Sequence, residues 1–327
     1  MPYSSPLLHP DLARFVAFGE VRIDLRRGPD AHWRSACAGG PWQVAMAMSS
    51  LGEMAAYAGA ISADLFGQEI WAACTDANLD LRFLQQLPRP PLLNFIDAEA
   101  APDGFFIGAD SADLFFRPEV LPAGWVKALR WAHFGGLGLV RPPLAQRLEA
   151  LAEGLKAEGK KISYAPGFRS VMDSRYDETL ERMCRVADVI KVSTEDLCGL
   201  FRAADFHSGL AQISAWNPSA ILLLTRGADG ATLYCSTGEW HALPPEMAQL
   251  PEVAAPGLGD AATAGLLFSL IHHPDANPEQ HLRWAIAAAA AAYTASSDYA
   301  LARAQPWTLP PALVGTLAAT VRVFPGA

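Results

Sequence analysis

Four short apolar runs between residues 131 and 225 constrain the fold of this chain more than any other feature. Stretches with a helical pattern separate them, for example 144–158 and 178–187. Strands that alternate with helices in this way are typical of a parallel sheet with crossover helices. We therefore predict an α/β fold, with an alanine-rich helix over 279–295 and strands within 131–134, 162–164, 189–192 and 221–225.

The first third of the chain predicts a buried strand and a smaller β unit. Residues 15–18 are apolar and end at Gly19, whereas residues 20–25 alternate polar and apolar side chains, as a half-exposed strand does. Two further β-like stretches, 92–96 and 105–108, follow a proline-rich turn. These segments predict either a small sheet beside the main one or a surface hairpin.

The segment Gly257-Leu258-Gly259-Asp260 stands before an apolar stretch with helical character. Two glycines allow a tight turn, and a helix that begins there presents unpaired backbone N–H groups that suit a phosphate. The carboxylate of Asp260 would stand beside that phosphate, where it could accept a proton from an attacking hydroxyl. Taken alone, however, the segment is more typical of an ordinary glycine-rich loop followed by an acidic first helical turn.

The formal net charge of -9 argues against the basic surface that nucleic acids and anionic membranes require, so we expect neither as a partner. The five cysteines are widely spaced and odd in number, which favours free thiols in a reducing compartment. We see no signal peptide and no apolar run of the roughly 20 residues that a transmembrane helix needs. The sequence predicts a cytoplasmic protein.

Three segments together resemble one enzyme family. Gly257-Leu258-Gly259-Asp260 is similar to the Gly-Ala-Gly-Asp signature of the ribokinase-like (PfkB) carbohydrate kinases, residues 187–197 to its Lys-x-Asn segment with an acidic pair, and residues 225–230 to its Thr-x-Gly-x-x-Gly loop. The resemblance covers residues 14–320 and is closest to the fructokinase and 2-keto-3-deoxygluconate kinase branch. It implies a three-layer α/β/α sandwich with a mostly parallel sheet and a small β lid inserted at about 20–34 and 92–117.

The resemblance implies a role for each matching residue. Asp260 would be the catalytic base, and the anion hole for the transferred phosphoryl group would come from Gly257, Leu258, Gly259 and Arg169. The sugar would be held by Asp24, Gly39, Gly40 and Gln43, and we expect Asp24 to accept two hydroxyl hydrogen bonds from a diol. The nucleotide would contact Lys191, Ser193, Thr225, Gly227 and Gly230, and the metal would be held, through water, by Glu195 and Asp196.

The implied cofactors are ATP and Mg²⁺, and the implied partners are a small sugar and, through the lid edge, a second copy of the chain. Several family side chains are replaced, however. Ala165 and Gly167 stand where the family has Asp and Asn, Trp42 and Gln43 would reshape the sugar pocket, and Ala254 removes an Asp associated with a monovalent cation. An active sugar kinase is the main prediction; a catalytically impaired sugar or nucleotide binder and a nucleoside kinase are the alternatives.

Overall fold

Two sheets organise the chain in the computed structural model, which describes residues 11–28, 30–97, 101–244, 257–297 and 309–326. The strands are β1 Phe15–Phe18, β2 Arg22–Arg27, β3 Trp33–Ala38, β4 Ala55–Ser62, β5 Leu84–Leu87, β6 Leu93–Asp97, β7 Ala101–Ile107, β8 Trp131–Gly135, β9 Lys161–Ala165, β10 Val189–Ser193, β11 Ile221–Thr225, β12 Ala231–Cys235, β13 Gly238–Leu243 and β14 Arg322–Pro325. The helices are α1 Gly40–Ser50, α2 Leu65–Asp76, α3 Trp125–Ala128, α4 Leu144–Ala157, α5 Asp177–Val186, α6 Thr194–Phe201, α7 His207–Trp216, α8 Leu258–His272, α9 Pro278–Ser297 and α10 Pro311–Thr320.

The large sheet has the strand order β14-β13-β12-β11-β10-β9-β8-β1-β4-β5. Neighbouring strands from β11 to β5 are parallel, and β12, β13 and β14 are added antiparallel at one end. Parallel strands need crossover connections, and these are the helices that the alternating pattern predicts. The predicted α/β/α fold class is therefore confirmed.

Helices cover both faces of the large sheet, and each face has its own apolar core. One core joins the sheet to α1, α2, α8, α9 and α10, and the other joins it to α3, α4, α5, α6 and α7. Strands such as β1 and β4 are buried along their whole length because both faces are covered. The carboxyl ends of the parallel strands are left at one edge, which is where open α/β sheets bind ligands.

The small sheet has the order β3-β2-β6-β7. Strands β2 and β6 pair in parallel, which brings Asp24 opposite Asn94, and β3 and β7 flank them antiparallel. Strands β2, β6 and β7 lie within the two segments predicted for a lid, whereas β3, Trp33–Ala38, extends beyond the predicted boundary at about 34. The extent of the domain, 14–320, stays a prediction.

The residues expected at the sugar pocket include the start of a helix. Gly40 to Gln43 form the first turn of α1, where Pro41 suits a position whose amide needs no intrahelical partner. Trp42 points away from the expected sugar pocket: it is buried, and its indole N–H donates to Cys74 Sγ at 3.2 Å. The replaced residue Ala254 lies outside the described residues.

In the described part of the chain, no helix is both long enough and apolar enough to cross a bilayer.

Candidate active site

The first turn of α8 forms the centre of the candidate site. Gly257 precedes the helix with a φ of 90°, in the left-handed region that glycine adopts readily, and its carbonyl accepts hydrogen bonds from the amides of Asp260 and Ala261. The first amides of a helix have no intrahelical acceptor, and they carry the positive end of the helix dipole. Gly257, Leu258 and Gly259 therefore offer the amide cradle that the sequence predicts, with Asp260 beside it.

Lys191, in the middle of β10, has its ammonium group directly against this turn. A Cβ added at Gly259 would be 2.7 Å from Lys191 Nζ, so a side chain at this position would displace the ammonium group. The Lys191 side chain is mostly buried, and its nearest carboxylate oxygen is Asp196 Oδ2 at 3.6 Å. The helix terminus and the ammonium group together make this point attractive to an anion.

Asp260 is half-buried, and its environment changes its acidity. Burial raises the pKa of Asp260 to about 6, although the charges of Lys191, Arg169 and Arg22 act to lower it. A carboxylate with this pKa is ionised at neutral pH and is more basic than an exposed aspartate. Proton abstraction from a hydroxyl is the chemistry that such a group supports.

The corner between β10 and α6 is fixed by a reciprocal cap. Asp196 Oδ2 accepts the Ser193 amide at 2.8 Å, and Ser193 Oγ accepts the Asp196 amide at 3.0 Å. Asp196 Oδ1 also accepts the Phe168 amide at 2.7 Å, which ties down the loop that carries Arg169. Asp196 thus links β10 to the turn after β9.

Arg169 reaches the site from that loop. Its Nη1 donates to the Phe168 carbonyl at 2.6 Å, and its positive charge acts on both Asp260 and Glu20. Gly167 has a φ of 58°, in the left-handed region that glycine adopts readily. A Cβ added there would meet no atom within 4 Å, so the loop has open space where the family carries a side chain.

The carboxylates predicted to hold the metal stand at the same corner. Glu195 is exposed in the first turn of α6, whereas both oxygens of buried Asp196 already accept backbone amides. Within the described ranges, no three His, Cys, Asp or Glu side chains form a cluster that could hold a metal ion. Oxygen donors suit Mg²⁺, and this arrangement fits an ion bound through water rather than by direct ligation.

The predicted nucleotide loop lies next to this corner. Thr225 ends β11 and is paired in register with Ser193 at the end of β10. Gly227 and Gly230 form the turn into β12 with φ values of 55° and 80°, and a Cβ at Gly230 would be 2.0 Å from the Ala242 carbonyl oxygen. The structure therefore brings Lys191, Ser193, Thr225 and the glycine turn to one edge of the sheet.

The amino end of α1 lies between the two sheets. A Cβ at Gly39 would be 2.5 Å from the Glu20 carbonyl oxygen, and a Cβ at Gly40 would be 3.4 Å from Asp260 Oδ1. Gln43, half-buried, occupies the first turn of α1. The two glycines thus allow β2 and α8 to approach the same helix end.

Asp24 is buried on β2, but its carboxylate is more heavily bonded than expected. Oδ1 accepts hydrogen bonds from Arg22 Nε at 2.8 Å and Asn94 Nδ2 at 3.2 Å, and Oδ2 accepts one from Arg26 Nη2 at 3.1 Å. A carboxylate offers about four lone-pair positions, so about one remains. The expected contact with two hydroxyls of a diol requires one of these bonds to break.

Three side chains around Asp24 were not predicted as site residues: Glu20, Arg22 and Asn94. Burial raises the pKa of Glu20, although the charge of Arg22 and the Gly138 amide, 2.9 Å from Oε2, act to lower it. The signal for Arg22 is in the sequence, since alternate residues of a strand share a face and Arg22 stands two residues before Asp24 on β2. Glu20 comes just before the strand, in the same alternation of polar and apolar residues. Asn94 comes from a different strand, and only the pairing of β2 with β6 reveals it.

Comparisons with known proteins agree with this geometry. Residues 13–304 match the family described as pfkB family carbohydrate kinase. A fructokinase from Klebsiella pneumoniae is 30% identical over 268 residues, which cover 78% of this chain and 83% of the relative.

Two solved structures have the same fold. A fructokinase from Xylella fastidiosa with bound ATP gives a TM-score of 0.81 at 22% identity, covering 94% of this chain and 99% of that one. An aminoimidazole riboside kinase from Salmonella enterica, complexed with aminoimidazole riboside and an ATP analog, gives 0.77 at 22% identity, covering 93% and 99%.

Proposed function

Because the chain belongs to the pfkB family of carbohydrate kinases, we propose that it transfers the γ-phosphoryl group of ATP to a hydroxyl of a ketose sugar, with Asp260 as the base. The family, the enzyme class and the fold predicted from the sequence are confirmed. The observation that carries the proposed roles is the first turn of α8, where Asp260, free helix amides and the Lys191 ammonium group meet.

The proposed reaction is a direct transfer. The acceptor oxygen attacks the γ-phosphorus, Asp260 takes the hydroxyl proton, and ADP leaves as the bond to its β-phosphate oxygen breaks. Amides of Gly257–Gly259, with Lys191 and Arg169, stabilise the negative charge on the transferred group. Phosphoryl transfer depends mainly on positioning and charge neutralisation, so these groups are sufficient for it.

The nucleotide in this proposal lies along the carboxyl edge of β10 and β11. Ser193, Thr225 and the Gly227–Gly230 turn would contact it, and Glu195 and Asp196 would hold Mg²⁺ through water. A bound Mg²⁺ would neutralise charge on the ATP phosphates. We propose no monovalent-cation site.

The test is ADP release with Mg-ATP and a panel of ketoses, aldoses, keto-deoxy sugar acids and nucleosides. We expect turnover with at least one sugar and a loss of about 100-fold or more in Asp260→Asn, which keeps the shape of the side chain but removes the base. Asp275→Asn, at an exposed position between α8 and α9, is the control for a surface charge change. If no acceptor stimulates the wild type above Asp260→Asn, the chain is a binder and not a kinase.

A nucleoside acceptor is the second candidate, and it is favoured by the likeness to the riboside kinase fold. The same panel separates the two, because a nucleoside kinase would prefer a base-bearing riboside over every free ketose. Stabilisation against heat by each acceptor gives an independent ranking, since a ligand that binds only the folded state raises the melting temperature.

We further propose that the chain acts in the cytoplasm and forms a homodimer through the small sheet. On its outward face, Phe95 stacks on Phe105 with ring centroids 5.1 Å apart, and Trp33 meets Phe95 at 5.6 Å. Trp33 and Phe105 are 48% and 55% exposed, a large apolar area for a monomer surface. Sedimentation should give a dimer for the wild type and a monomer for Phe105→Asp; a monomeric wild type would contradict the proposal.

A further inference from the structure

Arg22, at the start of β2, is a nearly buried cation between two carboxylates, those of Glu20 before the strand and Asp24 on it. Its side chain is 7% exposed, its Nε donates to Asp24 at 2.8 Å, and its Nη1 donates to Glu20 Oε1 at 3.2 Å. The guanidinium carbon lies 5.9 Å from the centroid of the Phe106 ring on β7. These contacts fix the plane of the guanidinium group on the inner face of the small sheet.

One edge of this guanidinium is free. An arginine side chain has five N–H donors, and Arg22 uses only Nε and one Nη1 proton on protein acceptors, so Nη2 has no partner in the described part of the chain. Among the described residues, the fully buried side-chain atoms without a partner are Asn94 Oδ1 and Arg226 Nε. Arg22 Nη2 is not one of them, so it faces accessible space.

That space borders the reaction centre. The charge of Arg22 acts on Asp260 as well as on Glu20, and the charge of Arg169 acts on the same two carboxylates. The amino end of α1 touches both sides, since Gly39 lies against Glu20 and Gly40 lies against Asp260. An acceptor seated between β2 and Asp260 would therefore lie within reach of the free Arg22 edge.

The charged groups on this inner face of the small sheet differ from those of a pocket that binds only hydroxyls. Each oxygen of Asp24 is bound by a guanidinium, from Arg22 or Arg26, so Asp24 has little capacity left for a diol. The strongest partner for the remaining planar N–H edge is a carboxylate or a phosphate. The two carboxylates of Glu20 and Asp24 balance the charges of Arg22 and Arg26. Protonation of Glu20 would therefore give this face a net positive charge.

We propose that Arg22 determines acceptor specificity by binding an anionic group, a carboxylate or a phosphate, on the sugar. This rests on the proposed kinase function and narrows its acceptor from neutral ketoses to acidic ones. Arg22 binds the end of the acceptor that lies away from the reacting hydroxyl, while Asp260 accepts the proton of that hydroxyl.

The test compares kcat/KM for a neutral ketohexose, a six-carbon keto-deoxy sugar acid and ketohexose phosphates. We expect the wild type to favour an acidic acceptor by about 10-fold to 100-fold, the range of a hydrogen bond to a charged group. Comparison of the sugar acid with the sugar phosphates shows whether Arg22 binds a carboxylate or a phosphate. In Arg22→Leu the acid-to-neutral ratio should fall to near one, mainly through KM; Arg27→Leu, on the opposite face of β2, should keep the wild-type ratio.

Arg22→Leu removes the cation that pairs with Glu20 and leaves Asp24 with Arg26 alone, so we expect it to weaken the fold. Arg22→Lys, which keeps the charge and loses the planar edge, is therefore made in parallel. Calorimetric binding of the keto-deoxy sugar acid should weaken about tenfold in Arg22→Lys, whether or not the protein turns over. Turnover with no acceptor would overturn the kinase proposal alone. A wild-type preference for the neutral ketose, or equal binding of the acid by wild type and Arg22→Lys, would overturn the role of Arg22.

Discussion

Replacing Asp260 with asparagine should abolish catalysis and yet stabilise the fold. The raised pKa means that ionised Asp260 destabilises the native state at neutral pH, because the unfolded chain holds the same charge in water. The difference between about 6 and the ordinary 3.8 corresponds to about 3 kcal/mol. Asp260 is only half-buried, so solvent screening reduces the expected gain to about 1 to 3 kcal/mol.

The sign of the pH dependence follows from linkage. Between pH 3.8 and about 6 the folded protein binds the proton more tightly than the unfolded chain does, so the wild type loses stability as pH rises through this range. The advantage of Asp260→Asn should therefore be absent below about pH 4 and complete above about pH 6. Urea unfolding at a series of pH values measures it, and kcat/KM of the wild type should rise through the same range.

Asp188→Asn is the matched control with the opposite sign. Burial acts to raise the pKa of Asp188, but hydrogen bonds from Lys156, the Ile162 amide and Lys161 lower it. This variant should lose stability at neutral pH, and the loss should fade as pH falls through the lowered pKa. The reasoning about Asp260 is refuted if Asp260→Asn is no more stable than wild type at pH 8, or if its advantage does not change with pH.

Three further changes test other parts of the structure. Gly259→Ala should lower kcat about 10-fold to 100-fold by displacing Lys191. The free energy of unfolding of this variant should change by less than about 1 kcal/mol. A normal kcat in Gly259→Ala would show that Lys191 is not needed at that position. Asp196→Ala removes the acceptor that holds the Arg169 loop, so urea unfolding should show a loss of about 2 kcal/mol or more, together with reduced kcat in steady-state assays. Leu148→Ala, in α4 on the face of the sheet away from α8, should cost about 2 to 5 kcal/mol in urea while leaving KM unchanged.

The sequence predicts most of the main sheet because several of its strands are short apolar runs that are visible in the local pattern. Apolar runs such as 189–192 and 221–225 are short, rich in branched side chains and flanked by helical stretches, which favours buried strands, and β10 and β11 lie there. Strand β4, Ala55–Ser62, escaped prediction because alanine and glycine carry little strand preference, and its place is decided by burial on both faces.

The candidate site could be predicted only where one short segment contains the whole feature. The Gly257–Asp260 turn is such a segment, and its helix begins where expected. The partners of Asp24 come from the same strand and from β6, and the direction of Trp42 depends on how α1 packs against α2. Pairing of distant strands and packing of helices are not visible in local pattern, so these parts had to come from the structure.

In the proposed mechanism the two sheets have different roles. Asp260, the proposed base, lies in the first turn of α8, and this helix packs in the core with α1 and α9, so changes there disturb the core of the protein. The residues that would read the acceptor lie on the small sheet, which has its own hydrogen-bonded ladder. Mutations on β2 and β6 can therefore redirect selectivity over generations while the transfer machinery is inherited intact, and related chains should diverge first on those strands.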